Sequence, residues 1–263
     1  MSFKRKNWQE YLRTLLEKNF ILNKTEFVAY LKCPFKFYLT KELNKHTKQS
    51  PRIDFSDYEP FLQDGIKKHL WLRRFYKKYK TNIQNNIYPV LLESEKNESW
   101  KKLFIDFEIN RFKKEGDFWP PITVELFLEK NNFCGKIDRI DLLNNQGHCR
   151  IVEYKSRPSD YNEEELLFYV VLLTDLLPYQ DLPSITSVSE IGIYYYSTGE
   201  FFKAKVTTEI INMFREYLEE IREEMLDPLL IKKKKDCDFA TTNCLNRAIC
   251  QRIAISQQKI IKF

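Results

Sequence analysis

The stretch GKIDRIDLLNNQGHCRIVEYKS, residues 135–156, decides the fold predicted for this chain. Two segments that mix apolar and charged residues, 133–142 and 148–155, flank the polar sequence Asn-Asn-Gln-Gly at 144–147. This arrangement is typical of a β-hairpin closed by a tight turn. The isoleucine and valine residues of both segments favour a position inside a sheet rather than at its rim. We therefore expect two antiparallel strands within the central sheet.

The register of this hairpin brings two carboxylates together. If position 144 pairs with 147, Asp138 lies opposite Glu153 with the Cβ atoms ~5 Å apart, and Lys155 shares a strand face with Glu153. Two facing carboxylates repel each other unless one is protonated or a cation bridges them. Oxygen ligands select a hard ion, Mg²⁺ or Mn²⁺. The pattern predicts a metal site, and the alternative is an exposed hairpin with ordinary surface charges.

A metal site of this kind suggests phosphodiester chemistry. The metal could polarise the phosphodiester and lower the pKa of a bound water for in-line attack. Lys155 could orient that water or stabilise charge on the phosphoryl oxygens.

Two further candidates lie outside the hairpin. His69, on a helix predicted over residues 59–80, could complete the metal sphere with a neutral imidazole. Glu125, on a strand predicted over residues 123–128, could add an acidic contact. An ordinary surface or packing role is the alternative for both.

The elements around the hairpin define the fold class. Helical periodicity predicts helices at residues 8–20, 26–40, 59–80 and 100–114, with Thr25 as the N-cap of the second. After the hairpin we predict a helix, two strands and a final helix at residues 163–177, 190–196, 200–206 and 208–225. This order predicts an α/β protein with a mixed central β-sheet flanked by helices.

The composition excludes several protein classes. The chain has 263 residues, of which 43% are hydrophobic and 30% charged, with only six glycines. These values exclude collagen-like and low-complexity proteins and suit one large domain or a domain with an appended lobe. The N-terminal 20 residues have no apolar core, and no run of ~18 apolar residues occurs. We expect a cytoplasmic protein without a membrane partner.

The net charge of +6 is unevenly distributed along the chain. Residues 1–50 have 11 lysines and arginines against 4 acidic residues, and residues 232–263 have 8 against 2. Residues 151–231 have 6 against 16. The two basic ends favour a polyanionic partner such as nucleic acid, and a solvated lysine surface is the alternative.

Six cysteines require an explanation in a chain of this kind. A cytoplasmic protein of this length uses cysteines as reduced thiols or metal ligands more often than as a disulfide framework. Cys134 and Cys149 lie on the hairpin strands but do not face each other in the predicted register. We interpret this pair as small core residues.

Taken together, these motifs resemble the core of the PD-(D/E)XK nucleases of the RecB type. Gly-x-x-Asp-x-x-Asp, a short hairpin and then a hydrophobic residue followed by Glu-x-Lys match that group. The upstream Gly-x-x-x-His, which ends at His69, matches its histidine motif. The resemblance implies that Asp138, Glu153 and His69 bind the metal and that Lys155 is the catalytic lysine.

The helix after the hairpin usually contains Gln-x-x-x-Tyr in this family. The corresponding residues here are Glu165 and Tyr169, so glutamate replaces glutamine. We regard both, with Glu125, as accessory candidates.

The remaining four cysteines resemble the iron–sulfur members of the family. Those members pair an N-terminal cysteine motif, here KCPFKFYL, with three cysteines near the C-terminus. The resemblance implies a [4Fe–4S] cluster bound by Cys33, Cys237, Cys244 and Cys250, with zinc as the chemical alternative. The spacing C-x6-C-x5-C departs from the family's C-x2-C-x5-C by its longer first interval.

The resemblance also implies a domain organisation. We expect residues 1–263 to form a single nuclease domain with a restriction-endonuclease-like core at 59–227. Residues 1–58, the helical N-terminal region, and 228–263, the cysteine-bearing C-terminal tail, would jointly form the cluster-bearing lobe.

Among compact members, the CRISPR-associated RecB-family exonucleases are similar in cysteine layout and size. This similarity implies Mg²⁺- or Mn²⁺-dependent cleavage of DNA, especially single strands or DNA ends, during spacer acquisition beside the CRISPR integrase complex. One alternative is a DNA repair or recombination nuclease of the same fold. Another is a non-catalytic nucleic-acid-binding iron–sulfur protein, and a third is a zinc-stabilised structural protein.

Overall fold

The computed structural model describes residues 21–34, 37, 59–88, 93, 95, 98–130, 132–157, 163–177 and 184–226. In chain order, its elements are β1 (Leu22–Asn23), α1 (Lys24–Lys32), α2 (Glu59–Gln84), α3 (Ser99–Glu115), a 3₁₀ turn (Gly116–Phe118), β2 (Thr123–Lys130), β3 (Phe133–Leu142), β4 (His148–Lys155), α4 (Glu163–Leu176), β5 (Ser187–Tyr195), β6 (Glu200–Lys205) and α5 (Thr208–Leu226). Within these ranges, no helix has the length and apolar character needed to cross a bilayer.

Six strands of the described chain form one mixed sheet. The third strand, β3, pairs antiparallel with β2, parallel with β1 and antiparallel with β4. On the other side of β4, β5 pairs with β4 in parallel, and β6 pairs antiparallel with β5 at the edge of this sheet. The predicted α/β class with a mixed central sheet is confirmed.

The hairpin register agrees with the prediction. The pairing of β3 with β4 runs from Leu142 opposite Cys149 to Arg139 opposite Val152. Continued by one residue, this register sets Asp138 opposite Glu153. Because the ladder ends at this point, the two strands separate where the two carboxylates face each other.

Side chains along β4 alternate between two apolar clusters, one on each face of the sheet. Cys149 and Ile151 belong to an apolar cluster that includes α1, α4 and α5. Val152 and Tyr154 belong to a second cluster, which includes α2 and α3 and is rich in aromatic rings. Because neighbouring strand residues point to opposite faces of a sheet, helices cover both faces of this one.

A buried ion-pair network joins the hairpin to α3. Arg139 is fully buried and donates to Glu108 at 2.7 Å and to Asp141 at 2.7 and 2.9 Å. Arg111 and Arg150 also contact Asp141, at 3.2 and 3.1 Å. Buried charges are tolerated only when they are paired. The network therefore holds the hairpin in one position relative to α3.

The helix predicted over residues 26–40 begins earlier, at Lys24, and ends at Lys32. The helix predicted over residues 8–20 lies outside the described residues. Asn23, at the end of β1, has an extended backbone, and its side chain accepts a hydrogen bond from the Glu26 N–H at 2.9 Å. Asn23 is therefore the N-cap, and the prediction of Thr25 was wrong because the preceding strand sets the cap geometry. Lys24 consequently becomes the first residue of α1, directly beside the sheet.

Candidate active site

The site begins where β3 and β4 separate. Oδ2 of Asp138 accepts a hydrogen bond from the backbone N–H of Tyr154 at 3.0 Å. This bond fixes the buried carboxylate at the end of the ladder. Its other oxygen, Oδ1, lies 3.5 Å from Nδ1 of His69 on α2. The hairpin and the helix thus meet at Asp138.

His69 contacts a second carboxylate at the same place. Its Nδ1 lies 3.6 Å from Oε1 of Glu125, and one ligand atom from each of His69, Glu125 and Asp138 lies within 4.8 Å of the others. Burial opposes a charge on His69, but its contacts with the two carboxylates raise its pKa to about 10. The contact with His69 in turn lowers the pKa of Glu125 to about 2. The three side chains form a compact group of potential metal ligands.

Glu125, which lies beside His69 and Asp138, has an unusual backbone conformation. The pairing of β2 with β3 on either side of this residue sets Glu125 opposite Asp138. Its φ is +57°, in the left-handed region that non-glycine residues seldom adopt. Such a conformation costs about 1–3 kcal/mol and persists only where the surroundings impose it. The contacts with His69 and Lys136 stabilise it here.

Glu153 is buried and only partly satisfied. Its Oε1 lies 3.2 Å from Lys155 and 3.6 Å from Lys24. Its Oε2 is buried without a hydrogen-bond partner among the described residues. Burial, and then the charge of Asp138, raises the pKa of Glu153 to about 8, although the two lysines oppose this shift. An unpaired buried oxygen is unfavourable, and a bound cation would satisfy it.

Two lysines and two glutamates form a charged cluster beside the hairpin. Lys155 donates to Oε2 of Glu165 at 2.6 Å, and Lys24 forms an ion pair with Oε1 of the same carboxylate. Burial opposes the charge on Lys155, but Glu153 and Glu165 outweigh this effect and raise its pKa. Lys155 is therefore held as a cation next to Glu153.

Sequence reasoning missed Lys24. The residue lies 131 positions before Lys155 in the chain, so no local spacing relates the two. Lys24 reaches the site because β1 pairs with the start of β3 and α1 begins immediately afterwards. The position of this short strand could not be predicted from local periodicity.

Gly135 and Tyr169 are linked by packing. A Cβ added to Gly135 would lie 2.8 Å from Cε1 of the buried Tyr169 ring on α4. The glycine of the Gly-x-x-Asp motif therefore leaves room for this tyrosine. Gly65, by contrast, has nothing within 4 Å of an added Cβ, so packing does not require glycine there.

The described part of the chain includes three of the six cysteines to which the sequence analysis assigned roles. Cys33 is half-buried at the C-cap of α1. Cys149 is buried in the core, as expected, and burial raises its pKa to about 12, whereas Cys134 is half-buried. The other three proposed cluster ligands lie outside the described residues: Cys237, Cys244 and Cys250. The [4Fe–4S] cluster therefore stays a prediction.

Comparison with known families gives a match over most of the chain. The family model of the PD-(D/E)XK nuclease superfamily matches residues 22–251 of the chain. The chain belongs to the PD-(D/E)XK nuclease superfamily. The match starts at β1 and therefore includes Lys24 as well as the hairpin carboxylates.

Two curated relatives match part of this PD-(D/E)XK chain, and both are subunits of an ATP-dependent helicase/deoxyribonuclease. The relative from Clostridium tetani (strain Massachusetts / E88) is 35% identical over 97 residues, which are 34% of the chain and 8% of the relative. The relative from Alkaliphilus metalliredigens (strain QYMF) is 31% identical over 127 residues, which are 46% of the chain and 10% of the relative. The chain thus spans about a tenth of these relatives' length.

The residues of the candidate site fit a divalent metal. Carboxylate oxygens and one imidazole nitrogen suit Mn²⁺ or Mg²⁺. His69, Glu125 and Asp138 converge, and Oε2 of Glu153 is unpaired within the described part of the chain. The potential ligand group thus includes Glu125, whereas Glu153 stands across from Asp138 and outside that group. A metal here would relieve the repulsion between Asp138 and Glu153.

Proposed function

We propose that the chain is a divalent-metal-dependent deoxyribonuclease that hydrolyses DNA phosphodiester bonds, acting as an exonuclease on single strands or DNA ends. The observation that supports this proposal best is the convergence of Asp138, Glu153 and Lys155 at the end of the β3–β4 ladder, with His69 beside them. Membership of a nuclease superfamily and the deoxyribonuclease relatives support the choice of DNA as substrate.

In this proposal, His69, Asp138 and Glu153 hold the metal, with Glu125 as a further ligand. A bound Mg²⁺ or Mn²⁺ would polarise the phosphodiester and favour deprotonation of the attacking water. Lys155, which forms ion pairs with Glu153 and Glu165, would orient that water and stabilise negative charge on the phosphoryl oxygens. Burial of Asp138 and Glu153 strengthens their interactions with a bound cation, because less bulk water surrounds and screens these charges.

The test is a Mn²⁺-dependent assay on end-labelled single- and double-stranded DNA. Asp138→Ala and Lys155→Ala should each abolish cleavage while DNA binding persists, and chelation with EDTA should abolish wild-type cleavage. Lys203→Ala, at an exposed position of β6, is the control and should retain full activity. Cleavage by either site variant at the wild-type rate would refute the site assignment.

We further propose that Cys33, Cys237, Cys244 and Cys250 bind a [4Fe–4S] cluster that joins the two ends of the chain. The order of the cysteine motifs in the sequence supports this proposal. After anaerobic purification, the wild type should be brown, and alanine at any one of the four positions should remove the colour and lower stability. A colourless protein containing zinc would exclude the cluster and favour the zinc alternative.

The proposed biological setting is CRISPR spacer acquisition, in which the nuclease would trim DNA ends for the integrase complex. The cysteine layout supports this setting. The similarity to two helicase/deoxyribonuclease subunits favours a second candidate, a nuclease of DNA repair or recombination. Pull-down of the tagged protein from its own cells separates the two settings. Recovery of an integrase would support spacer acquisition, and recovery of a helicase would support repair or recombination.

A further inference from the structure

Helix α2, which provides His69, has a one-sided charge composition. Between Gly65 and residue 92 the chain contains seven lysines and arginines and no aspartate or glutamate: Lys67, Lys68, Arg73, Arg74, Lys77, Lys78 and Lys80. Exposed helices usually interleave both signs, because pairs at i,i+4 stabilise the helix and like charges at that spacing destabilise it. This helix therefore retains an unfavourable concentration of positive charge.

Part of this charge forms a single stripe on the exposed surface of α2. Ile66, Leu70, Arg73, Lys77 and Lys80 follow one another at intervals of four and three residues, which places them on one helical face. All five are exposed, with Ile66 at 51% and Leu70 at 43%. At 1.5 Å per residue the stripe is about 21 Å long. We call these five residues the α2 stripe.

The cations of the α2 stripe are unpaired within the described residues. Arg73, Lys77 and Lys80 have no contact with an acidic side chain there. On other faces of the helix, Lys68 forms an ion pair with Asp64 at 2.5 Å, and Lys78 forms one with Glu95 at 3.1 Å. The stripe cations are thus available to an external anion.

The α2 stripe is adjacent to the candidate active site. His69 lies three residues after Ile66 and four before Arg73, so it borders the stripe on the same side of the helix. The imidazole of His69 contacts Asp138 at 3.5 Å. The apolar residues Ile66 and Leu70 are therefore next to the site, and the cations extend from it toward the end of α2.

We propose that the α2 stripe binds the backbone of the DNA strand whose phosphodiester lies in the active site. This inference rests on the proposed function, because the bound strand is its substrate. Arg73, Lys77 and Lys80 would contact successive phosphates, and Ile66 and Leu70 would pack against the sugars or bases nearest the site. Contacts of this type are independent of sequence and depend strongly on salt.

The experiment compares two triple variants that remove the same charge. Arg73→Gln/Lys77→Gln/Lys80→Gln removes the stripe cations, and Lys114→Gln/Lys203→Gln/Lys205→Gln removes exposed lysines from α3 and β6. Binding of a labelled oligothymidylate of about 16 nucleotides is measured by fluorescence anisotropy in EDTA, across a series of salt concentrations. Thermal melting confirms that both variants are folded.

The stripe variant should reduce the slope of log K against log salt by about 2, because each phosphate contact on a single strand contributes about 0.7. The control variant should keep the wild-type slope. Equal slopes in the two variants would overturn the inference. Wild-type protein that binds through the stripe but never cleaves DNA with Mn²⁺ would instead remove the proposed function and leave the surface assignment standing.

Discussion

Nζ of Lys155 lies 2.6 Å from Oε2 of Glu165, on the helix that follows the hairpin. Glu165 stands where the resemblance leads us to expect a neutral glutamine, and it adds a negative charge in a largely buried place. Lys24 forms an ion pair with the other oxygen of the same carboxylate. Lys24 therefore balances the added charge, and the positively charged Lys155 keeps its position beside Glu153.

Neutral substitutions of Lys24 and Glu165, made singly and together, test whether the two charges compensate each other. Lys24→Met or Glu165→Gln alone leaves one uncompensated charge, so each should lower kcat/KM about tenfold, or about 1.4 kcal/mol. The double variant removes both charges and should recover most of that loss, with a coupling of about 0.5–3 kcal/mol. Lys32→Met, at an exposed position of the same helix, is the control. Strictly additive losses would show that the two residues act independently.

Glu125 should determine how much Mn²⁺ the reaction needs for half-maximal activity. Glu125→Gln removes a carboxylate from the group with His69 and Asp138, so we expect the Mn²⁺ concentration for half-maximal activity to rise about tenfold or more. Activity at saturating Mn²⁺ should be largely retained. Glu129→Gln changes an exposed glutamate on the same strand and should not alter the Mn²⁺ titration. Identical titrations for the two variants would exclude Glu125 as a ligand.

Gly135 and Gly65 should respond oppositely to alanine. In Gly135→Ala the new methyl group meets the Tyr169 ring at 2.8 Å, and we expect a loss of about 1–3 kcal/mol in the free energy of unfolding. Gly65→Ala adds a methyl group in open space within α2 and should gain up to about 1 kcal/mol. Urea denaturation measures both. A stable Gly135→Ala protein with full activity would contradict the packing described for Tyr169.

Removal of Arg139 should destabilise the whole domain. Arg139→Met leaves Glu108 and Asp141 buried with fewer cationic partners, and breaking a buried pair costs about 3–5 kcal/mol. Arg215→Met breaks a partly exposed pair with Asp175 and should cost no more than about 1 kcal/mol. Thermal denaturation distinguishes the two. Similar melting temperatures would mean that the buried network contributes little.

Much of the hairpin could be predicted because its register depends on neighbouring residues. The turn at 144–147 aligns the two strands, and the observed pairing of Arg139 with Val152 follows from that alignment. The helix start at Lys24 was missed for the opposite reason, since Asn23 is placed by its pairing with Cys134, more than a hundred residues away. Local signals predict local contacts, and long-range strand pairing is not among them.

By itself, the sequence determined which carboxylates face each other, because the short turn at 144–147 aligns the two strands and so sets their register. It also determined the α/β class through its periodicity. Only the tertiary structure decided what surrounds that pair. Strand pairing positions Lys24 and Glu125, helix packing positions His69, and the rotation of α2 about its axis exposes the face that carries Arg73, Lys77 and Lys80. These placements depend on how separate elements pack against a shared core, which no local pattern encodes.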